Sequence, residues 1–144
     1  MTQKIVVAFD GSEAGHRAVD HAATMATEAD AQLIVAHVLE WSPYSFLSAE
    51  ELAERHKRRE QELARARDAV VTPVVADLVG RGIRAKAEIR YGHVAETLVD
   101  IAKEAGADSI VVGRTGGSGM AARLFGSVAV VLAQVAPVPL TIVP

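Results

Sequence analysis

The stretch Ile5-Val6-Val7-Ala8-Phe9-Asp10-Gly11-Ser12-Glu13 decides how the rest of the chain is read. Five apolar residues run without a break, then a carboxylate, a glycine and a hydroxyl follow at once. A strand buried on both faces gives a continuous apolar run, whereas a strand with one wet face alternates. Residues 5–9 therefore predict a central strand that ends abruptly in a polar turn. Residues 33–39, apolar except for His37, and residues 110–112 predict two more central strands. Residues 83–89 alternate, with Ile83, Ala85, Ala87 and Ile89 set against Arg84, Lys86 and Glu88, which predicts an edge. Residues 140–143 predict the other edge, since Pro137 and Pro139 precede them and a missing N–H does least harm there.

Helical patterns fill the gaps. Ala18, Ala22, Met25, Ala26 and Ala29 share a face over 13–29, and Val94, Leu98, Ile101, Ala102 and Ala105 do so over 94–105. Residues 48–71 predict a long charged helix, which Pro73 interrupts; Thr72 and Pro73 read as the N-cap and first position of a shorter one. A last, very apolar helix is expected over 128–135. The alternation β-α-β-α-β-α-β-α-β implies an α/β fold, an open parallel five-stranded sheet with helices on both faces. Right-handed crossovers and strands three and five outermost give the order 3-2-1-4-5. Ligands of such sheets lie outside the carboxyl ends of the strands where the winding reverses. The segments to inspect are thus those after Phe9, Leu39 and Val112.

Composition bounds the function. The chain has 144 residues, half of them hydrophobic, which suits one domain over 1–144. A net charge of −3 opposes a dedicated nucleic-acid binder, though a small anion needs only local positive potential. Without cysteine there are no disulfides, thiolate catalysis or cysteine-ligated metals, and a reducing compartment fits. No apolar stretch approaches the roughly 18 residues of a membrane span, and the first residues lack a secretory pattern. A cytoplasmic protein with no membrane or nucleic-acid partner is the expectation. The basic run Arg55–Arg59 is flanked by Glu50, Glu51, Glu54, Glu60 and Glu62, as in a solvated helix with ion pairs.

Chemistry concentrates after Val112, in Gly113-Arg114-Thr115-Gly116-Gly117-Ser118-Gly119, with Gly126 and Ser127 further on. A glycine-rich loop brings several N–H groups to one anion, and a helix N-terminus adds its dipole. The arrangement describes a phosphate cradle, with Arg114 and Arg123 as charge partners; the plainer alternative is turns and a capped helix. GxxxxGK[ST] is absent, and the first strand leads into Asp-Gly-Ser-Glu rather than GxGxxG. Asp10, with Glu13 three residues on, reads either as a ligand-facing carboxylate or as a capping box. His37 reads as a packed or hydrogen-bonded residue, and His16 and His21 are spaced wrongly for a metal pair. Trp41, Tyr44 and Phe46 follow strand two as pocket wall, lid or sheet cover.

These residues resemble the universal stress protein family along essentially the whole chain. The resemblance rests on the first strand ending in Asp10-Gly11-Ser12, on His37-Val38, on Gly92 before a helix, on the strand ending Val111-Val112-Gly113, and on Ala136-Pro137-Val138-Pro139-Leu140. Its most specific part is G-x2-G-x9-G-[ST], the pattern of the ATP-binding branch, matched by Gly113, Gly116, Gly126 and Ser127. The resemblance implies ATP as ligand, with Mg or Mn. It implies that Ala8, Phe9 and Asp10 meet the adenosine, Asp10 at the ribose or a metal, and that Val38 offers backbone groups to adenine. It places Val112 and Gly113 beneath the ribose, and Gly116, Gly126, Ser127 and Val128 at the phosphates. It also implies a homodimer through the last strand, an edge that would be a liability in a monomer.

Three functions remain open at this point. One is a nucleotide-dependent regulatory module with an unidentified protein partner and at most slow hydrolysis. Another is a nucleotide hydrolase or adenylyl-transferring enzyme, for which Asp10 and His93 are the available groups, since no nucleophile–base pair or Walker lysine is present. The third is a dimerisation scaffold without ligand.

Overall fold

The computed structural model describes residues 2–40, 49–115 and 120–144, and of 120–127 the helical backbone alone. The element order is β1 (Lys4–Ala8), α1 (Glu13–Ala29), β2 (Gln32–Glu40), α2 (Ala49–Ala66), a π-helical turn (Arg67–Val71), α3 (Thr72–Gly80), β3 (Ala85–Gly92), α4 (Val94–Ala105), β4 (Ser109–Gly113), α5 (Met120–Val135) and β5 (Leu140–Val143). All strand pairs are parallel and the sheet order is β3-β2-β1-β4-β5. The sequence predicts this order, and the two strands with patterned or proline-flanked sequences do form the edges.

Strand alternation splits the core in two. Ile5, Val7, Phe9, Leu33 and Val35 pack against Ala18, Val19, Ala22 and Ala26 of α1 and Leu78 of α3. Val6, Ala8, Ile34, Ala36, Ile110 and Val112 pack against Leu98 and Ile101 of α4 and Leu132 of α5. The alanine face of α1 lets that helix lie close to the sheet. Removing a fully buried leucine such as Leu33 or Leu98 would cost about 2–5 kcal/mol. α4 ends at Gly106, whose φ of 65° caps the helix in the left-handed region that glycine enters without penalty.

Three boundaries differ from the sequence reading. β3 lies at Ala85–Gly92 rather than 83–89, because it pairs with β2 all the way to Glu40↔Gly92. Thr72 is not an N-cap. Its N–H donates to Arg67 O, an i→i+5 bond, so the chain passes from α2 to α3 through a π turn without leaving the helical path. The wide turn absorbs the register change ahead of Pro73, which has no N–H to give. α5 begins at Met120, not at 128. Met120-Ala121-Ala122-Arg123-Leu124 are strong helix formers, and they carry the helix through Gly126 despite its cost of about 1 kcal/mol.

The strands do not end level. β1 pairs with β2 as far as Ala8↔Ala36, whereas β2 continues beside β3 to Glu40. Beyond Phe9 the chain leaves the strand path at Gly11, with φ 86°. A gap in the strand pairing therefore lies beside the last part of β2, next to the reversal between β1 and β4.

Candidate functional site

The carboxyl rim is built from the ends of β1, β2 and β4. Ala8 and Phe9 are buried there, and so are Val112 and Gly113 across the β1–β4 pair. Asp10 follows as the first polar group. Its Oδ1 accepts from the Ser12 N–H at 2.9 Å and from the Ser12 hydroxyl at 2.5 Å. Ser12 in turn accepts from the Gly15 N–H at 3.0 Å and is the N-cap of α1. The capping-box reading of Asp10 is thus corrected: the cap is Ser12, and Asp10 orients the cap. Among the described residues Asp10 Oδ2 makes no hydrogen bond.

Two glycines make room for this carboxylate and this strand end. A Cβ on Gly15 would stand 2.6 Å from Asp10 Oδ1 and 3.2 Å from Phe9 Cδ1. A Cβ on Gly113 would stand 3.1 Å from Thr115 O and 3.3 Å from Ala14 O. The end of β4 therefore lies directly against the first turn of α1. Sequence reasoning found Gly113 by its motif and missed Gly15, whose only signal was a glycine inside an alanine-rich helix.

His37 is buried, and its Nδ1 lies 2.7 Å from Phe9 O. A carbonyl only accepts, so Nδ1 carries the hydrogen. The expectation of a hydrogen-bonded rather than catalytic histidine holds. His16 places its ring edge-on to Phe9, with centroids 4.9 Å apart. His93 is exposed at the start of α4 and makes no side-chain cap bond. Gly92, at φ 156°, fits against Thr97, whose hydroxyl would meet any Cβ there.

Gly126, Ser127 and Val128 lie within α5 rather than at its opening, and Val128 is buried in the core. The helix N-terminus at Met120 instead directly follows residues 116–119. Gly116, Gly117, Ser118 and Gly119 lie outside the described residues, as do Trp41, Tyr44 and Phe46. Arg114 is exposed, and its N–H donates to Val143 O at 2.7 Å, extending the β4–β5 ladder. The rim thus brings Ala8, Phe9, Asp10, Val38, Val112 and Gly113 to one place.

α2 reaches the same end of the sheet. Tyr91, next to last in β3, donates its hydroxyl to Glu62, and Arg59 lies 5.5 Å from the Tyr91 ring centroid. Burial first, then the bond to Glu62, pushes the Tyr91 pKa up to about 12. The solvated-helix reading of Arg55–Arg59 fits the exposed His56–Glu60 pair at 3.2 Å. A separate cleft of about 140 Å³ lies between β3 and α4, lined by Lys86, Glu88, Arg90 and Glu104. Its guanidinium is paired on both sides, Arg90 with Glu104 at 2.5 Å and with Glu88 at 2.9 Å. The cleft contains none of the rim residues. Among the described residues no cluster of metal-ligating side chains occurs, and no helix is long and apolar enough to cross a membrane.

The doubly wound parallel sheet, with its winding reversed between β1 and β4, makes the molecule an open α/β protein. The chain belongs to the universal stress protein family, whose sequence profile matches residues 1–144. It is 33% identical over 131 residues to universal stress protein MJ0531 of Methanocaldococcus jannaschii, covering 88% of this chain and 73% of that one. The structure of UspA from Lactobacillus plantarum is similar, with a TM-score of 0.82, 26% identity and coverage of 99% and 97%. A universal stress protein solved in complex with cAMP has a TM-score of 0.69 and 28% identity, with coverage of 99% and 96%.

Proposed function

We propose that this chain, over residues 1–144, binds an adenine nucleotide at the carboxyl rim and acts in the cytoplasm as a nucleotide-dependent regulatory module of the stress response. The observation that carries the reading is that Asp10, the stretch of β2 at Val38 that runs past β1, and the β4 end at Val112–Gly113 share the carboxyl rim, in a sequence that carries the pattern Gly113, Gly116, Gly126 and Ser127. The cAMP complex of a 28% identical relative supports an adenine nucleotide as the ligand class.

In this reading ATP is the ligand, with Mg or Mn. The free Asp10 oxygen takes a ribose hydroxyl or the metal, and Ala8 and Phe9 floor the adenosine. Val38 offers its peptide groups to the base, and Val112 and Gly113 pass beneath the sugar. Gly116, Gly126, Ser127 and Val128 are the residues carried over to the phosphate end; since 126–128 lie inside α5, the anion would meet the first turn of that helix, whose N–H groups have no acceptor within the helix and whose dipole favours it. The bound nucleotide supplies negative charge and an aromatic base, and occupancy shifts the population of a partner-binding state. Among the described residues no base stands beside a nucleophile at the rim, which fits hydrolysis that is at most slow.

A homodimer belongs to the same reading. β5 is an edge strand, Ile142 on it is 40% exposed, and Val130 and Val135 of α5 are 60% and 53% exposed. A second copy pairing along β5 would cover this patch.

The test is calorimetric titration of nucleotide-free protein with Mg-ATP, beside the folded Gly116→Val, Gly126→Val double variant. Micromolar binding lost in the variant is the expected result. No binding by the wild type would overturn the reading and leave the dimer scaffold.

A further inference from the structure

The geometry points to His37 as a positioning residue: by holding Phe9 C=O with its ring N–H, it keeps the peptide groups of Val38 free for the hydrogen-bonding edge of the base. The inference rests on the nucleotide reading of the rim and names what sets the base preference there.

The argument starts from the ladder. Parallel strands exchange bonds at fixed offsets. At the opening of the β1–β2 pair, Gln32 N–H donates to Gln3 O at 2.8 Å, and at its close Phe9 N–H donates to Ala36 O at 2.8 Å. The register Ala8↔Ala36 makes Val38 N–H to Phe9 O the next bond of the series. Among the described residues no backbone bond joins those two groups. Phe9 O is taken instead by His37 Nδ1 at 2.7 Å. Two residues later Gly11 turns the chain away, so the Val38 carbonyl also loses its continuation partner on β1. Among the described residues Val38 N–H and C=O are thus one donor and one acceptor without a partner on β1, side by side at the gap.

That pair matches adenine, whose N1 accepts and whose N6 amino group donates. It mismatches hypoxanthine, whose N1–H donates and whose O6 accepts. If the histidine N–H is removed, Phe9 O has one obvious replacement donor, Val38 N–H, and the ladder closes over the group that would read N1. A buried carbonyl left without a donor is unfavourable, and the ladder bond relieves it.

The experiment compares wild type, His37→Leu and His37→Asn. Asparagine keeps an N–H near the Nδ1 position, and leucine keeps the volume without a donor. Each variant's melting transition verifies folding. Two readouts follow on the full chain: dissociation constants for Mg-ATP and Mg-ITP, and hydrogen exchange of the Val38 amide without nucleotide. The wild type is expected to favour ATP over ITP by about tenfold or more, His37→Leu by about twofold or less, and His37→Asn to retain the preference. Val38 exchange is expected to be fast in wild type and His37→Asn and protected in His37→Leu. A folded His37→Leu with the full ATP preference and an unprotected Val38 amide would overturn the inference. If wild type binds neither nucleotide, the nucleotide reading and its base-reading edge fall together. Protection of Val38 in His37→Leu would then still show that the histidine holds the Phe9 carbonyl.

Discussion

The hydroxyl of Ser12 donates to Asp10 Oδ1 at 2.5 Å while accepting the Gly15 N–H at 3.0 Å. One side chain therefore caps α1 and fixes the carboxylate at the rim. Ser12→Ala removes both roles. Loss of the cap is expected to destabilise the fold by about 1 kcal/mol, which lowers the melting temperature by about 2–4 °C in a chain of this size. Thermal denaturation followed by circular dichroism measures it. An unchanged transition would show that the cap bond contributes nothing to α1.

Gly15→Ala separates helix propensity from site geometry. Alanine in a helix gains up to about 1 kcal/mol over glycine, and less in the first turn, where Gly15 lies. Here the new Cβ would stand 2.6 Å from Asp10 Oδ1, so the carboxylate must swing away and its bonds to Ser12 are lost. The two effects offset, and stability is expected to move by less than about 1 kcal/mol. Mg-ATP affinity is expected to fall about tenfold, since the displaced carboxylate no longer faces the gap. Unchanged affinity in calorimetry would remove Asp10 from the site.

Tyr91 ties α2 to the end of β3, and its pKa raised to about 12 gives the tie a pH dependence. A tyrosine whose folded pKa lies above the ordinary value near 10 adds stability that is fully present below pH 10. That contribution is lost as pH rises through about 12. Absorbance at 295 nm of wild type minus Tyr91→Phe is expected to show one phenol ionising near the upper end of this window. Tyr91→Phe itself is expected to cost about 0.5–1.5 kcal/mol at neutral pH in denaturant titration. A phenol titrating at 10 would mean that Glu62 is not its partner.

Ile142 lies on the outermost strand with Val130 and Val135 exposed on α5. Ile142→Glu places a charge on that edge, a device that blocks strand pairing between chains. Sedimentation velocity is expected to show the wild type as a dimer and the variant as a monomer of unchanged fold. A wild type that sediments as a monomer at high concentration would dispose of the edge-strand dimer.

The sheet was legible in the sequence because burial writes itself into pattern. The unbroken run 5–9 and the alternating run 83–89 distinguish a central strand from an edge without any tertiary information. Segments shaped by long-range contact were less legible. β3 slides forward to Gly92 because its partner β2 is long, and Thr72 reads as a cap only until a π turn carries the helix past it. α5 starts at Met120 because the glycine at 126, which resembles a break, lies among strong helix formers. At the site, Asp10 and Gly113 announced themselves by position after apolar runs. The importance of Gly15 and the acceptor of His37 depend on which atoms the fold brings within 3 Å, and no local pattern encodes that.

The π turn at Arg67–Val71 has an angular effect. Each residue of an α-helix advances the side-chain direction by about 100°, so one extra residue packed into a turn rephases everything before it relative to everything after. α3 buries Leu78 against the sheet, and the rephased α2 brings Arg59 and Glu62 to Tyr91 at the end of β3. The wide turn thus acts as a dial set between two rigid rods. Its setting decides which stripe of a charged helix meets the end of β3.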